Sequence, residues 1–273
     1  MVRDLRIAKA LWTGTAVLAF CAALAGVLSR DIYIGLFPED FLPGAFPQDI
    51  LTMVVSVILF ILATTTRNSD VKRQVVAIGL LGSLFYLYGI FTIERVYNSF
   101  YLIYAAVFAL SFWSIVMSLA GFTGQTFDHL GVPDKIRKIS SLSSLLIAAV
   151  FIFLWIMALI PLMREHNRIE YLYSIYILDL CFVMPAFVIV ALMSLRRMPL
   201  GILMTPAVMI LGFFVIFPLG LNELAKPSAG MPMSLGPLIV SFAFSFFMLA
   251  IGLLQLWKIR LEYPRHDSDP GHG

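Results

Sequence analysis

Eight long runs of apolar residues take up most of this 273-residue chain. A helix needs about 20 mostly apolar residues to cross the hydrocarbon core of a bilayer, and polar or charged residues bound each run on both sides. The predicted spans cover residues 9–28, 48–65, 74–93, 100–120, 141–163, 172–195, 199–221 and 234–257. So little chain is left between these spans that we expect no separate soluble domain.

The composition agrees with a membrane environment. The chain is 60% hydrophobic and 13% charged, whereas a soluble domain carries about 25% charged residues. We therefore predict an all-α fold, a polytopic transmembrane helix bundle of about eight spans, as one domain over residues 1–273. Only the polar tail, residues 261–273, is expected to be disordered. The predicted partner is the lipid bilayer, and no nucleic acid is expected.

The basic residues predict the orientation of the chain, because cytoplasmic loops of membrane proteins are enriched in Lys and Arg. With eight spans, fourteen Lys and Arg residues fall on the side of the chain termini and five fall on the other. The five are Arg30, Arg95, Arg164, Arg168 and Lys226. This asymmetry predicts a multi-pass protein of the cell (inner) membrane with both termini in the cytoplasm. The alternative for the first span is a cleaved signal peptide.

A weak internal duplication is visible in the spacing of four landmarks. The landmarks are Asp49, Arg67, Gly82 and Glu94 in the first half, and Asp179, Arg196, Gly212 and Glu223 in the second. Counted from its aspartate, the glycine lies 33 residues further along in both halves, and the glutamate lies 45 and 44 residues further. The spacing predicts a 4+4 repeat of parallel topology with halves 1–120 and 141–260, although chance matches in an apolar sequence are the alternative.

Polar side chains concentrate near one predicted membrane face, the side opposite the termini. An ionisable residue in a span is costly and is a functional candidate by default. The candidate ligand-binding residues are Asp49, Asp179, Glu94, Arg95, Asn98, Tyr101 and Glu223. We expect the faces that carry them to line one outward-facing polar pocket. For Glu94, Arg95 and Glu223 the alternative is that they only mark the ends of helices.

Sequence signatures of common catalytic and metal sites are missing. The chain has no GxxxxGK[ST], HExxH or GxSxG motif. Its two cysteines, Cys21 and Cys181, lie in separate apolar runs and form no CxxC pair. We therefore predict no cofactor and no metal site, and the sequence identifies no catalytic residue.

Several segments combine apolar patterns with a few polar residues: "QDILT", "YLYGIF", "YNSFYLIYAAVFALS", and "DLCFVMPAF" with "RRMPLG". In these segments the chain resembles an uncharacterised family of prokaryotic eight-span membrane proteins of unknown activity. The resemblance covers about two thirds of the chain and implies a topology rather than an activity.

These observations favour a membrane protein whose outward-facing pocket binds or transports a small solute or ion. One alternative is a membrane-embedded enzyme acting on a lipid-linked or periplasmic substrate, with Asp49 and Asp179 as acid and base. Another is an accessory or assembly subunit without a small ligand. An enzyme requires the two carboxylates to converge on one substrate, and a transporter requires a path from the pocket to the other side.

Overall fold

The computed structural model describes residues 5–122 and 129–262. Within these residues, eight helices are long and apolar enough to cross a membrane. They are α1 (Arg6–Leu28), α2 (Leu42–Thr65), α3 (Val71–Ile93), α4 (Tyr101–Phe122), α5 (Asp134–Glu165), α6 (Tyr173–Leu195), α7 (Pro199–Ala225) and α8 (Leu235–Lys258). The predicted all-α bundle of eight spans is confirmed. The predicted tail disorder falls almost wholly on residues 263–273, which lie outside the described residues.

The odd-numbered helices begin at one end of the bundle and the even-numbered helices begin at the other. We call the end where α1 begins and α8 finishes the basic face, and the opposite end the distal face. Short 3₁₀ turns lie at the distal face, at Arg30–Tyr33, Glu39–Phe41 and Lys226–Ala229. At the basic face, strands β1 (His129–Gly131) and β2 (Arg260–Glu262) pair antiparallel and join the α4–α5 connection to the end of α8.

Helices α3 and α7 form the centre of the bundle. Most of their side chains are buried, whereas few of those in α5 and α8 are. Helix α3 packs on α4 and α7, α1 packs on α2 and α4, and α7 packs on α2, α6 and α8. The outer helices can be apolar on every side because lipid tails solvate apolar side chains as well as a protein core does.

A close approach between α3 and α7 fixes the middle of the molecule. Gly79 lies against Ile210 and the backbone carbonyl of Ala207. A Cβ atom at position 79 would be 2.8 Å from Ile210 Cβ and 3.0 Å from the Ala207 oxygen. A residue without a side chain is therefore needed for the two backbones to approach this closely.

Basic side chains cap two helix ends at the basic face. Lys9 Nζ donates to the backbone oxygen of Thr66, 3.0 Å away, at the end of α2. Arg137 donates to the backbone oxygens of Ser194 and Leu195, at 2.7 and 3.0 Å, at the end of α6. These contacts satisfy carbonyls that a helix leaves unpaired at its C-terminus. The first helix of each predicted half thus caps the second, although the duplication itself stays a prediction.

Candidate functional site

A cavity of about 400 Å³ lies on the distal side of the contact between α3 and α7. Its lining includes several residues of α3 between Ser83 and Phe91, and several residues of α7 between Phe214 and Asn222. Residues of α2, α5 and α6 supply the remaining walls, and Phe37 and Leu172 from the distal connections lie at its rim. We call this space the distal cavity. It lies between the two predicted halves of the chain.

The walls of the distal cavity are mainly apolar and aromatic, with a few polar groups. The polar side chains include Gln48, Ser83, Tyr86, Trp155, Asp179 and Asn222. Of the described residues that line it, none is Lys, Arg or His. Predominantly apolar walls with a few oriented polar groups are typical of sites for small molecules.

Asp179 is the acidic group of the distal cavity. It begins a π-turn, Asp179–Val183, that interrupts α6, and Pro185 follows shortly after. Because proline has no N–H and its ring displaces the carbonyl four residues earlier, regular α-helical bonding cannot continue through this segment. The Asp179 side chain is 2% exposed. The local opening of the helix therefore places a buried carboxylate at the wall of the cavity.

The two oxygens of Asp179 have different surroundings. Trp155 Nε1 donates to Oδ2 at a distance of 2.7 Å, and the Tyr86 hydroxyl interacts with the same carboxylate. Oδ1 has no hydrogen-bond partner among the described residues. The carboxylate is thus oriented by one oxygen while the other is free to accept a hydrogen bond.

Two amide groups at the α2–α7 side of the cavity also present free acceptors. Asn222 Nδ2 donates to the backbone oxygen of Asp40 at 3.0 Å, and Gln48 Nε2 donates to Thr52 at 3.3 Å. The side-chain oxygens of Asn222 and Gln48 have no partner within the described part of the chain. A buried acceptor without a partner costs about 1–3 kcal/mol. Three such acceptors in one cavity are therefore a feature that requires an explanation.

Asp49 does not line the distal cavity. Both of its oxygens lie 3.1 Å from the Tyr33 hydroxyl, on the side of α2 that faces α1. Successive helical residues are rotated by about 100°, so Gln48 faces the cavity and Asp49 faces Tyr33. Of the seven candidate residues, Asp179 is the one that lines the distal cavity, and a shared ligand site for Asp49 and Asp179 stays a prediction.

A hydrogen-bond network connects Asp49 with the distal connections. Asn98 Nδ2 donates to the Tyr104 hydroxyl at 3.0 Å and to the backbone oxygen of Ile32 at 3.2 Å. Burial, together with the Asp49 carboxylate, raises the pKa of Tyr33 well above its usual range. Tyr33 therefore stays protonated and donates to Asp49. Asn98 and Asp49 have structural partners here that join α2 and α4 to the chain between α1 and α2.

Glu94 and Glu223 cap helices at the distal face. Glu94 Oε1 accepts a hydrogen bond from the Ser174 N–H, 2.8 Å away, in the first turn of α6. Glu223 Oε2 accepts one from the Ser234 N–H at 3.0 Å, immediately before α8, and its Oε1 pairs with Lys226. A carboxylate near a helix N-terminus accepts a hydrogen bond from an unpaired N–H, and its negative charge interacts favourably with the helix dipole. The two glutamates therefore have structural partners at the ends of helices.

Arg95 and Tyr101 lie at the distal surface, outside the cavity. Arg95 is exposed and has a left-handed backbone conformation, with φ of 58°. Its guanidinium is 5.8 Å from the centroid of the Tyr173 ring. The Tyr101 hydroxyl donates to the backbone oxygen of Thr92 at 3.2 Å. A role for these two residues in ligand binding stays a prediction.

Replacing Glu94 with glutamine is expected to lower the free energy of unfolding by about 1–2 kcal/mol, because a neutral amide is a weaker acceptor for the Ser174 N–H. Thermal unfolding of the purified protein in detergent measures the change. The matched control is Glu170→Gln, an exposed glutamate in the α5–α6 connection, for which we expect no change. Equal stability of the two variants would contradict the capping role.

Comparisons with protein-family models, curated proteins and solved structures returned no match to this chain. The chemistry of the distal cavity therefore has to be inferred from the side chains that line it. Within residues 5–122 and 129–262, no three His, Cys, Asp or Glu side chains are grouped so that they could hold a metal ion. Both cysteines are free thiols on the exposed surface of the bundle.

Proposed function

We propose that this multi-pass membrane protein binds a small solute in the distal cavity. The observation that carries the proposal is the set of three buried, unpartnered acceptor oxygens on Asp179, Gln48 and Asn222, all in one cavity. A ligand with hydrogen-bond donors would remove the free-energy penalty that these atoms carry. The cavity also has the size and the apolar character of a small-molecule site.

The distribution of Lys and Arg supports an orientation for this site. The sequence assigns fourteen of these residues to the side of the termini and five to the opposite side in the eight-span topology, so the termini are cytoplasmic and the cavity faces outward. We assign the protein to the cell membrane on the same basis. The resemblance of segments such as "QDILT" and "DLCFVMPAF" supports membership of the prokaryotic eight-span group named above.

Binding without transport accounts best for the packing below the cavity. Toward the basic face, α3 and α7 meet at Gly79, Ile210 and Ala207. A second cavity, of about 220 Å³, is lined by apolar side chains and Gly82 and offers no polar group to a solute. Neither this cavity nor the contact at Gly79 offers a solute a polar route between α3 and α7 toward the basic face. A receptor or solute-sensing role follows from this arrangement.

Transport is the second candidate, and one observation favours it. The distal cavity lies between two sets of four helices, and transporters built from repeats bind their substrates at the interface between the repeats. Transport would require α3 and α7 to separate at Gly79, so that the site opens toward the basic face. An enzymatic role has less support, because Asp49 lies outside the cavity and leaves Asp179 without a second carboxylate there.

Cysteine modification tests the proposed site. In a C21A/C181A background, S83C places a thiol in the cavity wall, and S228C places one on the exposed distal surface. We expect a small membrane-impermeant thiol reagent to modify both variants. We also expect at least one solute from a set of phenyl-bearing amines, alcohols and carboxylates to slow the reaction of S83C and not that of S228C.

Two results would overturn the proposed function. One is a complete lack of reaction at S83C while S228C reacts, which would mean that the cavity is closed to solutes. The other is reaction at S83C that no member of the solute set slows. Size-exclusion chromatography of each variant verifies that the substituted protein is folded and monodisperse.

A further inference from the structure

We propose that the solute is a small organic cation, an apolar body that carries a protonated amine, and that Asp179 binds the amine nitrogen. This inference depends on the proposed function and specifies the ligand class of the same cavity. It is drawn from the kinds of hydrogen-bonding groups that remain free, from the sign of the charge in the walls, and from the aromatic rings beside Asp179.

The free polar groups of the distal cavity are acceptors. Oδ1 of Asp179, Oε1 of Gln48 and Oδ1 of Asn222 lack partners among the described residues. Each of the two amide NH2 groups donates one hydrogen bond elsewhere in the protein, and the Trp155 N–H is engaged by Asp179. A ligand must bring donors to pair the three oxygens. A carboxylate or phosphate ligand would bring further acceptors and leave the three oxygens unpaired.

The charge of the walls selects a cation in particular. Asp179 is an acidic side chain that is 2% exposed, and no Lys, Arg or His is among the described residues that line the cavity. A buried carboxylate needs a compensating positive charge or hydrogen-bond donors to remain ionised. A protonated amine supplies both, since each N–H of an ammonium group is a donor and the group carries a full positive charge.

Aromatic side chains near Asp179 add a second interaction for a cation. Trp155, which binds the carboxylate, also contacts Phe151, with ring centroids 6.2 Å apart. Tyr86 interacts with the carboxylate from α3. The faces of Trp, Tyr and Phe rings attract cations within about 6 Å. The end of the cavity formed by α3, α5 and α6 thus combines one negative charge with aromatic rings.

The opposite end of the cavity accommodates the rest of the ligand. Phe37 and Phe91, with ring centroids 5.4 Å apart, belong to the apolar lining there. The Gln48 and Asn222 oxygens lie on the α2–α7 side, where they can accept a hydrogen bond from a second donor on the ligand. The cavity therefore fits an amphipathic amine with an apolar or aromatic middle rather than a bare inorganic ion.

Three solutes of matched shape test the inference with the S83C protein. Phenethylamine is cationic, 2-phenylethanol is neutral, and phenylacetate is anionic. We expect phenethylamine to slow modification of S83C at concentrations roughly tenfold or more below those at which 2-phenylethanol has the same effect. Phenylacetate is expected to give no protection. All three solutes are compared on the same folded S83C protein, so the substitution in the cavity wall is common to every measurement.

Removal of the charge provides the complementary test. Asp179→Asn in the S83C background is expected to weaken protection by phenethylamine about tenfold or more, and to leave protection by 2-phenylethanol nearly unchanged. The matched control is Asp49→Asn, because Asp49 is buried to a similar degree, 3% exposed, but lies outside the cavity. We expect that control to retain the protection by phenethylamine.

The outcomes separate this inference from the proposed function. Equal or stronger protection by 2-phenylethanol or phenylacetate would reject a cationic ligand while the binding cavity would stand. Unchanged protection by phenethylamine in a folded D179N protein would reject the role of Asp179. If none of the three solutes slows modification of an otherwise reactive S83C protein, the proposed function itself fails.

Discussion

Replacement of Gly79 with leucine is expected to reduce the amount of folded protein to a small fraction of the wild-type level. The ideal Cβ atom of any side chain here would lie 2.8 Å from Ile210 Cβ and 3.0 Å from the Ala207 carbonyl oxygen. The carbonyl belongs to the α7 backbone and cannot move without displacing the helix. Overpacking costs typically 1–3 kcal/mol for added methylene groups, and leucine adds four carbons at a backbone contact.

Folded protein after this substitution is measured by fluorescence-detected size exclusion and by thermal unfolding in detergent. Gly236→Leu is the matched control, because Gly236 lies in the first turn of α8 with nothing within 4 Å of its ideal Cβ position. It introduces the same side chain and is expected to have little effect. If the two variants are equally stable, α3 and α7 do not touch at Gly79.

The number and approximate positions of the spans could be predicted from the sequence because they depend on local properties, although α2 and α5 begin at Leu42 and Asp134 rather than at 48 and 141. A helix of about 20 apolar residues is long and apolar enough to cross a bilayer, whatever its neighbours are. The prediction was therefore successful for all eight spans, including long α7, in which Pro206 and Pro218 lie within the helix. The surrounding helices tolerate such interruptions in membrane proteins.

Which side of a helix faces the interior is harder to predict for a membrane protein. Lipid and protein core are equally apolar, so a span shows no polar stripe that marks its outside. Asp49, Thr52 and Ser56 are spaced i, i+3 and i+7 in the sequence and lie on one buried side of α2. This spacing alone does not indicate that Asp49 meets Tyr33 whereas Thr52 reaches the distal cavity.

Contacts between residues that are distant in the sequence also escaped prediction. Glu94 is followed by Arg95 in the sequence, yet its hydrogen-bond partner is the Ser174 N–H, 80 residues further along. Gln48 and Trp155 were missed because attention to ionisable residues passes over neutral polar groups. Two features point to Gln48. It lies beside Asp49, and Gly44, one turn earlier in α2, leaves room for the Asn222 side chain.

Gly26→Ala is the second substitution for which we expect a large loss of folded protein. A Cβ atom at position 26 would collide with the Asp49 carboxylate, and it would lie 2.6 Å from the Tyr33 hydroxyl oxygen. Both side chains are almost fully buried, at 3% and 2% exposure, so neither can swing into solvent. Elsewhere in a helix the same change is favourable by roughly 0.5–1 kcal/mol, and the steric effect has to exceed that gain.

The cause of the Gly26→Ala effect can be isolated by adding Asp49→Ala. Removing the Asp49 carboxylate eliminates the closest contact but leaves the Tyr33 hydroxyl with one partner fewer, so Asp49→Ala alone is expected to cost about 1–3 kcal/mol. The double variant G26A/D49A is expected to be more stable than G26A, because D49A removes the carboxylate with which the new methyl group collides, and the two substitutions are therefore coupled. Gly14→Ala controls for helix propensity, because Gly14 lies in the same helix as Gly26 and its ideal Cβ position is 4.0 Å from the Leu110 side chain. If the losses in G26A and D49A simply add, Gly26 and Asp49 do not touch, and the packing of α1 on α2 near Tyr33 differs from the one described.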